Sequence, residues 1–129
     1  MKIERFEDLD IWKEARALSK QIFVLTNNKP FSNDYRFRDQ LRAAGGSIMD
    51  NVAEGFGRGG NKEFLCFLSF AKGSAAEVRS QSYRAFDFEY IDQETLNDLL
   101  ERTDKISRKT SNFMRYLKSS SIKGYRFNN

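Results

Sequence analysis

The sequence predicts an all-α protein, an antiparallel up-down-up-down four-helix bundle. Three observations predict it: four apolar stripes of near-heptad spacing, a single proline in 129 residues, and no comparable stretch that alternates with period two. In the first stripe Ile11, Ala15, Leu18, Ile22 and Leu25 step by 4,3,4,3. In the second, Phe37, Leu41, Ala44 and Ile48 step by 4,3,4. The third runs Phe64, Leu68, Ala71, Ala75, Val78, Ser82, Ala85, and the fourth Leu96, Leu99, Thr103, Ile106, Thr110, Phe113, Leu117. Each stripe covers one face of a helix, because residues three and four apart lie above one another.

Helix breakers fall between the stripes. Asn27-Asn28-Lys29-Pro30 ends the first helix, since the residue before proline leaves the helical region. Ser32, Asn33 or Asp34 can cap the second, Asn61 the third and Asp92 the fourth. Short connections between long helices make neighbours antiparallel. The bundle domain is assigned to residues 1–118 and a basic C-terminal tail to 119–129, where the stripe is lost.

Composition narrows the class. With 40% hydrophobic and 31% charged residues the chain reads as globular, and its length supports one domain with a real core. The lone cysteine, Cys66, rules out an intramolecular disulfide and favours a reducing cytoplasm. Set among Phe64, Leu65, Phe67 and Leu68, it reads as an inert core thiol. Met1–Trp12 holds no apolar signal-peptide core, and the richest apolar run, Phe64–Ala71, is too short to span a membrane.

Gly55-x-Gly57-x-x-Gly60 fits the dinucleotide-binding spacing, yet a helix rather than a strand precedes it and no βαβ pattern follows, so no cofactor is expected. The glycines read as a turn: Gly55 as the left-handed residue at a helix C-terminus, the others as permitting a tight reversal. Amides at the start of the third helix remain able to hold an anion. Beside the apolar stripes run two further rows, Ser47, Asn51, Glu54, Arg58 on the second helix and Glu63, Phe67, Phe70, Ser74, Glu77, Gln81 on the third. Phe67 and Phe70, two aromatics outside the core stripe, point to a subunit interface. Gly45-Gly46 inside the second helix points to the same interface through a close approach of backbones, or else only kinks the helix. Arg58 is expected to pair with Glu54, Glu63 or Glu77; a buried pair would make Arg58→Ala strongly destabilising and an exposed one nearly silent.

The chain contains no histidine, so the commonest general base and the Glu-x-x-His ligands of di-iron bundles are absent; neither enzyme activity nor a metal is expected. Charge is uneven. Residues 102–129 carry eight Lys/Arg against one acid, a net of +7, which leaves −3 for residues 1–101 of the whole-chain +4. This reads first as a solvated final helix whose basic end suits the helix dipole, and second as a surface for a polyanion. On the second reading Arg108, Lys109, Arg115, Lys118, Lys123 and Arg126 contact nucleic acid, and the interleaved Tyr116, Tyr125 and Phe127 favour single-stranded RNA.

Several fragments together resemble a known family: Phe6-x-x-Leu9-x-x-Trp12-x-x-Ala15, Gln40-x-Arg42-x-Ala44, Ser47-Ile48-x-x-Asn51-Val52-Ala53-Glu54-Gly55, then Arg58, Glu63-Phe64-x-x-Phe67-Leu68 and Gly73-Ser74-x-x-Glu77. Over roughly Phe6 to Leu117 the chain resembles the 23S rRNA intervening-sequence proteins, bacterial four-helix bundle proteins. The resemblance implies a left-handed bundle assembled as a homopentamer. It also implies kinship with the accessory variability determinant of diversity-generating retroelements, a basic pentamer that binds a reverse transcriptase and nucleic acid. The family name records gene position and not a biochemical activity. The chain departs from the pattern at Met49-Asp50, where many members have a proline after the isoleucine, and at Gly45-Gly46, which replaces bulkier residues. Two function classes follow: an oligomeric RNA or ribonucleoprotein accessory protein, and a protein-interaction scaffold without a nucleic-acid role.

Overall fold

The structure, a computed structural model, describes residues 3–119. Among these residues it holds four α-helices and no strand: α1 Asp10–Thr26, α2 Tyr35–Gly57, α3 Asn61–Asp87 and α4 Gln93–Ser119, with short 3-10 turns at Phe6–Asp8 and Phe31–Asn33. They form a four-helix bundle in which each helix packs on its two neighbours around the core, α4 closing against α1.

The stripes become the core. Ile11, Ala15, Leu18, Ile22 on α1 and Phe37, Leu41, Ala44, Ile48 on α2 are buried, and the α2 face continues through Val52 and Phe56. All seven stripe residues of α3 are buried, as are those of α4 except the half-buried Phe113. Leu25 is half-buried too, and Thr26, one step of four from Ile22, takes the last core place on α1. Its hydroxyl donates to the Ile22 carbonyl at 2.7 Å and accepts from Arg42 Nε at 2.7 Å, so a polar group closes that end without an unpaired atom. Asp34 caps α2 by accepting from the Phe37 amide at 3.3 Å, and Asp92 caps α4 through the Thr95 amide at 2.8 Å. Asp34 also accepts from the Tyr90 hydroxyl at 2.8 Å, tying the α1–α2 connection to the α3–α4 connection.

Three expectations need correction. Cys66 is exposed. It lies two residues, about 200° of helical turn, from Phe64, so it points away from the face that Phe64 and Leu68 bury. Gly55 does not end α2: the helix runs on to Gly57, and the left-handed residue is Gly59 at φ 91°. Asn61 does not cap α3. Gly60 holds the extended cap position, and the Asn61 side-chain amide donates instead to the Leu117 carbonyl at 3.3 Å, joining α3 to the end of α4.

Gly45 faces α1 of its own chain. A Cβ there would stand 2.7 Å from Ile22 Cδ1, so the glycine lets α1 and α2 approach within the chain; nothing lies within 4 Å of a Cβ on Gly46.

Candidate functional site

The rows beside the core converge where α2 meets α3. Ser74 and Ser47 hydroxyls bond across the helices at 2.9 Å, and Asn51 Nδ2 donates to the Ser47 hydroxyl at 2.9 Å and to its carbonyl at 2.8 Å. Three residues of the family fragments thus form one polar contact. Further along, Gly55 is buried, and a Cβ on it would fall 2.7 Å from Phe67 Cβ and 2.8 Å from Phe64 Cδ1. Beyond it, Arg58 Nη2 bonds Glu54 Oε2 at 2.8 Å, and Nη1 lies 3.7 Å from Glu63. The hydrogen bond to Glu54 raises the arginine further above its ordinary pKa, so it is a permanent cation. Its guanidinium sits 4.9 Å from the Phe67 ring centroid, and Phe67 meets Phe70 edge-on at 5.6 Å. The Arg58 pairs are about half exposed, which selects the near-silent outcome for Arg58→Ala.

The rest of the row separates. Glu77 is exposed and lies four turns of α3 from Glu63, about 21 Å, outside the reach of Arg58. Gln81, placed by spacing on that outer row, is buried at 7% exposure, and its Oε1 finds no partner among the described residues. Four steps from Glu77 turn a helix by 400°, so a row drifts toward the core over its length. Phe70 is 51% exposed, an apolar ring open at the end of this surface.

The second candidate surface is the basic end of α4. Lys109 is occupied: its ammonium bonds the Asp10 carboxylate and lies 3.1 Å from Glu14 Oε2, while Lys105 holds Glu14 at 2.9 Å. The Lys109 hydrogen bond holds Asp10 below the usual carboxylate range, and the Lys105 hydrogen bond does the same for Glu14; Lys109 is raised, chiefly by its bond to Asp10. The carboxylates thus contribute stability above their ordinary values near 4, and lose it as pH falls through their depressed values. Lys109 contributes below its ordinary value near 10.4 and loses it as pH rises through its raised one. Urea denaturation should therefore show Lys109→Met less stable than the native chain by about 1 kcal/mol or less between about pH 5 and 10, a gap that narrows on either side. A gap that widens below pH 5 would contradict this arrangement.

Arg108 is exposed and pairs with Asp104 on its own helix at 2.8 Å; Arg115 Nη2 donates to Asn112 Oδ1; Lys118 is exposed. Tyr116, 39% exposed, stacks on Phe113 at 5.9 Å and lies on the α1 side of α4, in a hollow it shares with Asp10 and Lys109. Lys72 of α3 joins Ser107, Arg108, Ser111, Asn112 and Arg115 in lining one open groove between α3 and α4, a pairing across helices that no single-helix spacing reveals. Lys123 and Arg126 lie outside the described residues, as do Tyr125 and Phe127. The described residues hold no group of three or more acidic, Cys or His side chains placed to bind a metal, and no helix long and apolar enough to cross a membrane.

The family model of the 23S rRNA-intervening sequence proteins matches residues 7–112, which span both surfaces up to Asn112. The chain belongs to this family. Among solved structures it is similar to a protein of unknown function from the S23 ribosomal protein family of Bacteroides thetaiotaomicron. The TM-score is 0.75 at 16% identity, over 81% of this chain and 95% of the other. At that identity the likeness establishes a shared fold. No curated protein matches the chain significantly. As a member of the intervening-sequence protein family, the chain carries the Ser47, Asn51 and Ser74 fragments on the α2–α3 contact, whereas Arg108, Arg115 and Lys118 lie exposed on α4.

Proposed function

We propose that this intervening-sequence protein is a non-enzymatic, cytoplasmic accessory protein that binds single-stranded RNA through the basic flank of α4 as a homo-oligomer, most simply a pentamer. The observation that carries the reading is the exposed run Arg108, Arg115 and Lys118, with the open Tyr116 ring on the neighbouring flank of α4. Cations meet phosphates, and an exposed ring stacks on an unpaired base whatever its identity. Assembly multiplies the charge, and the exposed Phe70 beside Phe67 and the Ser47, Asn51, Glu54 row gives copies an apolar and polar face to share.

We assign the bundle an antiparallel, up-down-up-down, left-handed course. Its antiparallel part is supported by partners that run in opposite order along three adjacent pairs: Gln21 with Asp98 and Glu14 with Lys105 between α1 and α4, Ser47 with Ser74 and Gln40 with Arg84 between α2 and α3, and Asn61 with Leu117 and Arg79 with Leu100 between α3 and α4. Left-handedness is what the family resemblance implies.

The test is a charge-reversal set, Arg108, Arg115 and Lys118 to Glu, titrated with single-stranded RNA at low and moderate salt, with light scattering on the same samples. The native chain should scatter as an oligomer and bind more weakly as salt rises, and the reversal set should lose both affinity and salt slope. Native-like affinity and slope in the reversal set, or a monomer at micromolar concentration, would overturn the reading. A stable oligomer indifferent to RNA would be the result expected of a protein-interaction scaffold.

A further inference from the structure

We infer that the α3–α4 groove is a phosphate seat for the backbone of a single-stranded polynucleotide, with Lys72 as its third cation; this rests on the RNA reading above. Lys72, Arg108 and Arg115 bring three positive charges to a groove that no carboxylate lines. Arg108 keeps Asp104 at its back, and Arg115 leans on a neutral amide. Lys72 forms no ion pair among the described residues, so its charge is uncompensated and comes from the opposite wall.

Several hydroxyls of the bundle are taken up by their own helix. Thr26, Ser82 and Thr103 each donate to the carbonyl one turn back on their helix, at 2.7 to 2.8 Å. Ser107 and Ser111, half-buried in the groove, make no such bond among the described residues and are free to donate to a ligand. The amide nitrogen of Asn112 adds another donor, because its oxygen already accepts from Arg115. A groove of cations and neutral donors matches phosphate oxygens, which only accept.

The spacing favours a chain of anions over a single one. Arg108 and Arg115 are two turns apart, about 10 Å along α4. Each guanidinium is held by a residue one turn toward the N-terminus, Asp104 and Asn112, so that separation is kept. Two forks so placed engage separate phosphates of one strand, with Lys72 meeting the strand from α3.

The experiment compares Lys72→Gln and Lys72→Arg with Lys20→Gln, which removes one exposed charge from α1. Oligouridylate binding is measured across a salt series. Removing the partner of one phosphate should lower the salt slope by about 0.7. Lys72→Gln should show that decrease, Lys72→Arg should keep the native slope, and Lys20→Gln should stay native. Equal effects of Lys72→Gln and Lys20→Gln would overturn the seat while leaving RNA binding intact. Absence of oligouridylate binding by the native chain would overturn the RNA reading and the seat with it. Saturation of the groove by inorganic pyrophosphate at concentrations that leave oligouridylate bound would show a site for small anions and also overturn the inference.

Discussion

Replacing Phe64 by alanine is expected to cost about 3–5 kcal/mol of unfolding free energy, read from the urea midpoint at constant slope. The ring is fully buried. It meets Phe56 edge-on at 6.2 Å and Phe113 edge-on at 5.4 Å, so it joins α2, α3 and α4 at one level of the bundle. Removing it takes apolar area from the core and leaves a cavity whose walls are the rings of two other helices. Those walls cannot collapse without moving the helices that carry them, which puts the expected loss at the upper part of the usual range. Phe64→Leu, which keeps most of the volume, should lose clearly less. A loss under about 1 kcal/mol for Phe64→Ala would mean that α3 does not pack as described.

The second large effect is at Gly55, where two rules disagree in sign. Helix propensity alone makes Gly→Ala inside α2 a gain of about 1 kcal/mol. Packing makes it a loss, because the new Cβ would overlap Phe67 Cβ at 2.7 Å and Phe64 Cδ1 at 2.8 Å. Neither neighbour yields easily: one is fixed to the α3 backbone, and the other belongs to the locked ring cluster. Overpacking of this kind costs about 1–3 kcal/mol, so Gly55→Ala should destabilise on balance and Gly55→Val more so. Gly46→Ala supplies the opposite sign in the same helix, since nothing lies within 4 Å of its Cβ, and should stabilise by up to about 1 kcal/mol. Thermal melts of the three variants decide it; a stabilised Gly55→Ala would show that α2 and α3 are not in close approach at that level.

The core was legible because a bundle buries what its own periodicity lines up. Ile11 to Ile22, Phe37 to Ile48 and Phe64 to Ala85 needed no knowledge of neighbours. The misplacements share a cause in local context. The residues adjacent to Cys66 in sequence are apolar, but adjacent positions point 100° apart on a helix and do not share its environment. At Gly55 it is not backbone freedom but the missing Cβ against a second helix that matters, and a helix's own sequence does not show that neighbour. Within the candidate surfaces, the Arg58–Glu54 pair was readable as a four-residue step along one helix. The Ser47–Ser74 bond, the capture of Lys109 by Asp10 and Glu14, and the meeting of Lys72 with Arg108 were not. They depend on the rotation of one helix about its axis relative to the next, which spacing within a helix does not encode.

Cys66 turns out to be a counting device. A thiol on the outer side of α3, in a chain with no other cysteine, offers one attachment point per protomer that leaves the packed interior undisturbed. A single maleimide dye on each chain would make the number of bleaching steps in an individual particle equal to its number of subunits. The number of chains in each particle would then be read molecule by molecule, without reference to mass or shape.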